Sequence, residues 1–408
     1  MKTHKKILCI VPFVAMLLSC GGTPNKDKPL IFFNRQPSMP DASGIDHKTM
    51  GFSENTFYVG FDAIRGGDVQ GQMILDYFKE KTSDEVDRNK DGKLGYVLAI
   101  GDEAHNDSRA RTIGIRKALG TLVTDEKKAK ENYKAGVCKV GEIQLKDKKI
   151  LVEELASQVM AADDGAGWNA DAAGKAFISW KSSEKIGASN SIDFAVSNND
   201  GMAGGMRGST AWIEGLPLFG YDANADALEA IKNGKMTGTV SQNVDAQAIG
   251  VLQLIRNIID GEKGENVIKK GFSEPDKWGN KITPKMDYVE KDRAIMANNS
   301  AVTSINVDSY IGAKRDEGIK DITKQKDIKK IKVWLDLYNG SDNFLSASYW
   351  PALDHYQKLM NIEIHKVEGD GQEEKSVSEK FVNLGKYDAY AINMVKTNSG
   401  SIYTKKLH

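Results

Sequence analysis

Two groups of residues in this chain carry side chains suited to chemistry. The first is the stretch DRNKDGKLG, Asp87 to Gly95. Asp87, Asn89 and Asp91 alternate ahead of Gly92, the opening of a loop that wraps a calcium ion. Such a loop is completed by a bidentate Glu at its twelfth position, and here Leu98 stands there, inside the apolar run YVLAI. Read alone, the stretch is an incomplete cation site or a solvated turn held by Asx bonds. The second group lies at the ends of apolar runs. YVLAIG leads to DEAHNDSRAR, FAVS to NND, LPLFGY to Asp222, YAI to Asn393 and VWLDLY to NGSDNF. Carboxylates and amides accept bonds from hydroxyls, Arg and Asn donate, and flat aromatic rings stack on the C–H face of a pyranose. Such a set suits an uncharged, polyhydroxylated ligand. Each member also has a plainer role. Asn or Asp after a strand is a common turn residue or helix cap. Trp168 and Phe344 are ordinary core residues, and His105 is an ordinary loop histidine. Their shared position at strand ends is what points to binding.

The elements that must place them alternate. PLIFFN, FYVGF, GYVLAIG, FAVSN, LPLFGYD, TGTVSQN, KVWLDLY and YAINMV read as short strands. Between them lie amphipathic stretches such as GDVQGQMILDYFKEK, SRARTIGIRKAL and DAQAIGVLQLIRNIIDG. This alternation predicts an α/β fold with parallel sheets covered by helices on both faces. Open sheets of that kind bind ligands at the carboxyl ends of their strands. VGEIQLKDKKILVEEL reads as a charged excursion, a hairpin turning at KDKK. Residues 298–330 are polar, rich in Lys and Asp and poor in apolar periodicity, and they read as a long linker.

The 408 residues suffice for two domains with proper cores, and 40% hydrophobic with 27% charged is an ordinary globular balance. The opening is different in kind. MKTHKK is basic, ILCIVPFVAMLLS is apolar, and MLLSC ends the run at Cys20. We read residues 1–19 as a lipoprotein signal peptide, Cys20 as the lipidation site and 20–29 as a tether. The apolar run is short for a membrane span. Removing the leader takes three lysines from 56 basic residues set against 56 acidic ones, leaving a net charge of −3. Nothing in that balance suggests nucleic acid. Of three cysteines, Cys9 lies in the leader and Cys20 carries lipid, so Cys138 has no partner for an intrachain disulfide.

FFNRQPS, YVGFD, QGQMI, DRNKDGKLGYVLAIGDEAHNDSRAR, SNNDGMAGG, LFGYDA and NGKMTGTV occur in this order. With them the chain resembles the periplasmic galactose/glucose-binding proteins of sugar ABC importers, over nearly all of residues 30–297 and 331–408. LYNGSDNF and YAINMV are also motifs of that family, but there they open the chain and here they close it. The resemblance therefore implies a circularly permuted periplasmic-binding-protein type I fold, with two Rossmann-like parallel-sheet lobes joined by a hinge. It implies one lobe from 30–37, 242–283 and 331–408, and a second from 38–241 and 284–297. Crossovers would fall near Ser38, Ser241 and Thr283, and 298–330 would join the family's original ends. It implies sugar contacts at Tyr338, Asp342, Phe344, Asn393, His105, Asp107, Arg111, Trp168, Asn199 and Asp222. Phe344 and Trp168 would sandwich the ring. Gln242, standing where the family has Asn, would be an eleventh contact. It also implies a structural calcium ion held by Asp87, Asn89, Asp91, the Lys93 carbonyl and Asp193, with Gly95 in place of the family's last loop ligand.

The function that follows is a periplasmic, lipid-anchored, monomeric binding protein. It would capture glucose or galactose between its lobes and deliver the hexose to the membrane permease of an ABC importer. Two readings of another class compete with it. One is a glycosidase using Asp342 and Asp107 as its carboxylate pair, though carboxylates among many donors stay ionised acceptors. The other is a sugar sensor, in chemotaxis or in transcription, and the leader and the lack of a helix-turn-helix region disfavour the transcriptional form.

Overall fold

A computed structural model describes residues 25–39, 44–163, 165–184, 186, 191–283, 285–312, 315, 318–340, 342–369 and 386–407. The expected leader and Cys20 lie outside the described residues, as does the tether up to residue 24. Among the described residues no helix is long and apolar enough to cross a membrane.

Among the described residues, fourteen strands form two seven-stranded sheets. The first sheet runs in the order β13 (Ile362–Glu368), β12 (Ile331–Leu337), β14 (Ala389–Ile392), β1 (Leu30–Phe33), β2 (Thr56–Phe61), β10 (Ala294–Ala297) and β9 (Asp287–Val289). All of its pairings are parallel except that of β9 with β10. The second runs β11 (Ser300–Thr303), β8 (Gly238–Ser241), β7 (Leu218–Phe219), β6 (Phe194–Ser197), β3 (Lys93–Ile100), β5 (Lys149–Val159) and β4 (Gly141–Gln144). Here only the edge strands β11 and β4 are antiparallel.

The central strands of both sheets are buried on both faces, as in parallel sheets covered by helices. Successive residues of β1 show why. Ile31 and Phe33 pack with Ile249 and Leu252 of the helix Val244–Ile259 on one face. Leu30 and Phe32 pack with Trp334, Tyr390 and Tyr403 on the other. The period of two along a strand thus feeds two separate cores. In the second lobe, Val97 and Ala99 face one core, and Leu94, Tyr96, Leu98 and Ile100 the other.

The strand pairing redraws the expected lobe boundaries. β2 was expected in the second lobe, but all six of its residues are buried and it pairs with β1 and β10. The first crossover therefore falls at Asp62, whose carboxylate caps the helix Ala63–Lys79, and not near Ser38. That helix belongs to the second lobe, where Gln70 Nε2 donates to the carbonyls of Ser197 and Gly220 at 2.8 and 3.0 Å. It also meets the helix Asn106–Ala118 so closely that a Cβ on Gly114 would lie 2.2 Å from the Gly67 carbonyl carbon. The second crossover lies between Ser241 and Val244. The third lies at residues 298–299 and not near Thr283, because β9 and β10 complete the first sheet. The expected linker is also partly structured. β11 pairs with β8, and Ile322 is fully buried with its amide bonded to the Leu359 carbonyl.

The KDKK stretch does turn a hairpin, β4–β5, closed by the Leu145 amide on the Lys148 carbonyl. β5 carries Glu154, which takes a bidentate bond from Arg116 at 2.5 and 2.8 Å with both side chains buried. Tyr96 Oη also donates to Glu154, at 2.7 Å. Arg116 further donates to the carbonyls of Asn132 and Lys134, tying the 121–140 excursion to the sheet. Removing one partner of such a pair leaves a charge buried without compensation. Glu154→Ala should therefore destabilise the protein by about 3–5 kcal/mol in urea unfolding. A loss below about 1 kcal/mol, the range of exposed pairs, would contradict this account of the excursion.

Candidate functional site

Every parallel strand that bears a candidate residue presents it just past its carboxyl end, and the two sheets point those ends at one another. One cavity of about 40 Å³ lies between the lobes. From the second lobe it is lined by His105, Asp107 and Arg111 after β3, Trp168 after β5, Asn199 after β6, Asp222 after β7 and Gln242 after β8. From the first lobe come Tyr338, Asp342 and Phe344 after β12. Ten of the eleven expected contacts therefore share this cavity.

The eleventh, Asn393, stands behind the wall. It is fully buried, its Oδ1 accepts from the Tyr338 amide at 3.3 Å, and its Nδ2 donates to the Phe33 carbonyl at 3.2 Å and to Asn34 Oδ1 at 3.4 Å. It positions Asn34, which lines the cavity together with Arg35 and Leu345. These three were not singled out in the sequence. The signal was present for two of them, since FFNR places Asn34 and Arg35 directly after β1.

Local backbone needs explain several placements. His105 and Asn199 are helix N-caps as well as wall residues. His105 Nδ1 accepts from the Asp107 amide at 3.1 Å, and Asn199 Oδ1 from the Met202 amide at 2.8 Å. Trp168 has φ +64° and its indole lies over Gly101, where a Cβ would meet the ring at 2.4 Å. Asn34 and Asp222 also hold positive φ, +59° and +117°. Backbone strain concentrated at one cavity is a mark of functional placement.

The polar groups bond to one another across the cavity. Arg111 lies 3.6 Å from Asp222, and its guanidinium sits 3.6 Å from the Tyr221 ring centroid. Gln242 Nε2 donates to Asp222 at 2.5 Å, while its Oε1 accepts from Asn34 Nδ2 at 3.4 Å, so Gln242 bridges the lobes. Tyr338 Oη donates to Asp342, and the Arg35 guanidinium stacks 3.5 Å above the Tyr338 ring. Burial pushes the Asp222 carboxyl up to about 7, against the pull of Arg111 and with a push from Asp342. Burial also raises Asp107, which Arg111 and Arg35 draw back down. His105 is driven well below its usual range by burial and then by Arg35, Arg111 and Arg109, so it is neutral at pH 7. The site thus offers carboxylate and amide acceptors, guanidinium donors and two aromatic faces. Two wider grooves of about 740 and 670 Å³ are lined by other residues, and neither includes any of the eleven expected contacts.

The 87–95 loop has the oxygen donors a calcium ion favours, and its carboxylates are near neighbours. Burial, with Asp87 and Asp91 adding to it, raises Asp193 to about 7. Their oxygens are nevertheless aimed at backbone amides. Asp193 accepts from Arg88 and Gly95 at 2.8 and 2.7 Å, and Asp87 from Asp91 and Gly92 at 3.2 and 2.9 Å. Asp91 accepts from the Lys93 amide at 2.9 Å and from Asn89 Nδ2 at 3.0 Å. Among the described residues no three acidic, His or Cys side chains converge as a cation cage. In this arrangement side chain–amide bonds hold the loop as a turn.

Two sequence models, each described as a periplasmic binding protein domain, match residues 25–263, more than half of the chain, and residues 329–400. The D-galactose/methyl-galactoside binding periplasmic protein MglB of Haemophilus influenzae is 29% identical over 263 residues, 63% of this chain. That match covers 62% of the relative, so the chain spans less than two thirds of its length. Among solved structures, a galactofuranose binding protein is 15% identical, with 71% of this chain and 72% of that one covered and a TM-score of 0.42. An Actinobacillus succinogenes ABC transporter solute binding protein with bound D-allose is 17% identical, with 62% and 64% covered and a TM-score of 0.39. With its two parallel α/β lobes of the type I arrangement, the chain belongs to the periplasmic binding protein domain family.

Proposed function

We propose that the protein is the sugar-binding component of an ABC importer, taking D-glucose or D-galactose between its lobes and handing it to a membrane permease. The observation that carries this reading is the convergence of seven strand ends from two lobes on one cavity. Phe344 and Trp168 enter it from opposite sides, with Asp342, Asp107 and Asp222 as acceptors and Arg111 as donor. No nucleophile or acid–base pair is needed. Asp342 already accepts from the Leu345 amide at 2.9 Å and from Tyr338, so both of its carboxylate oxygens are held as hydrogen-bond acceptors. A cavity of about 40 Å³ holds on the order of three waters, so the lobes part to admit a pyranose and close again around it.

Calorimetry should give micromolar or tighter binding, about −8 kcal/mol or stronger, for one of the two hexoses. Phe344→Ala or Trp168→Ala should each cost about 0.5–1.5 kcal/mol of stacking. Asp342→Ala should cost about 1–3 kcal/mol, by stranding donors in a dry cleft. No sugar should be turned over. Absence of heat with both hexoses at millimolar concentration would reject the reading.

Lipid on Cys20 and a periplasmic location belong to the same proposal. Cys20→Ser should move the protein from the membrane to the soluble fraction of cells, and an unchanged distribution would count against the anchor.

We also propose that the chain is a circular permutant of the family resembled by its motifs. Its support is the parallel register of β1 between β14 and β2, which joins the two ends of the described chain in one sheet. The helix Gly400–Leu407 lies beside it, with Tyr403 edge-on to Phe32 at 6.4 Å. A chain reordered to start at Ile331, with the present ends joined through a short linker, should fold and bind the same sugar. Failure of that chain to fold, while the present order folds, would argue against permutation.

A further inference from the structure

Next to the sugar cavity lies a second space of about 300 Å³, several times its size, and His105 belongs to the walls of both. Both lobes build it. Met39, Lys396, Thr397 and Asn398 come from the first, and Asp102 and Arg109 from the second. It therefore opens and closes with the cleft. From the placement of His105 at this junction we propose that the ligand is a hexose carrying a second sugar unit, with the first ring between Phe344 and Trp168 and the second in the adjoining chamber. This inference rests on the sugar reading and extends it from a free hexose to a disaccharide.

Three observations carry it. The first is size, since the chamber sits at the lower end of the range for small-molecule sites and the inner cavity lies far below it. The second is the chemistry of the walls. The Thr397 hydroxyl, the Asn398 amide and the Asp102 carboxylate are groups that pair with hydroxyls. Arg109 is already engaged, its Nε on the Glu103 carbonyl at 2.5 Å and its guanidinium 4.3 Å from the Tyr133 ring centroid. It acts as a fixed wall and not as a free anion clamp. The third is the state of the partition. His105 stands edge-on to Trp168, with ring centroids 5.4 Å apart and planes at 89°. Its Nδ1 accepts from the Asp107 amide. A neutral imidazole that accepts at Nδ1 carries its proton on Nε2, so the junction holds a hydrogen-bond donor suited to a bridging glycosidic oxygen.

The test is calorimetric titration of the protein with D-glucose, D-galactose, maltose, cellobiose, lactose and melibiose. At least one disaccharide should bind about tenfold or more tightly than its parent hexose. Asn398→Trp, at an exposed position where an indole would fill the chamber, should erase that ratio, and Met39→Trp on a second wall segment should do the same. Melting curves check that each variant is folded. Binding of free hexoses alone, or a ratio that survives both substitutions, overturns the inference and leaves the hexose reading standing. Binding of a disaccharide without either hexose supports the inference and overturns the free-hexose reading. Binding of none overturns both.

Discussion

Parallel strand pairing is the constraint on which the site depends. In a parallel sheet every strand delivers its carboxyl end to the same edge, and the chain leaves that edge into a helix whose first amides need a cap. The residues that follow the strands are therefore polar for a structural reason before they are polar for a functional one. His105 and Asn199 do both jobs, capping a helix and lining the cavity. Two such edges set face to face turn a row of caps into a ligand cavity. The crossings at Asp62, Ser241–Val244 and 298–299, with the return to the first lobe between residues 311 and 319, keep the edges opposed while leaving each lobe its own cores.

Electrostatics also couples the lobes. Arg35 is anchored on the first lobe by the Met394 and Val395 carbonyls and by the Tyr338 ring, yet its charge acts on His105 and Asp107 of the second. Asp342 of the first lobe pushes on Asp222 of the second, and Gln242 links Asp222 to Asn34. In a cleft of low dielectric such terms weigh more than at a surface. A ligand that satisfies the carboxylates with hydroxyls relieves the repulsion and strengthens closure at the same time.

Much of this was legible in the sequence because its signals are local. A run such as YVLAI followed by polar residues marks both the strand and the edge where it ends. What was not legible depends on distant partners. TFYVGF followed by a capped helix looks the same whether that helix returns to its own sheet or crosses to the next, so only the pairing with β1 and β10 places β2 in the first lobe. SAVT is too short a strand to stand out in a polar stretch, and only β8 makes it one. Asn393 ends its strand as the others do, but its side chain turns back to Phe33 and Asn34. The carboxylates of the 87–95 loop match a metal pattern by type, and the amides they accept from appear only in three dimensions.

The central claim is that one cavity, shared by two lobes, receives a sugar ring between Phe344 and Trp168. A crystal structure grown with D-galactose or D-glucose tests it most directly. The account predicts a pyranose between those two rings, its hydroxyls donating to Asp342 and Asp222 and accepting from Arg111, with the second unit or solvent in the chamber beyond His105. Sugar density in an outer groove, or a cleft that stays at its present volume with no sugar inside, would contradict it.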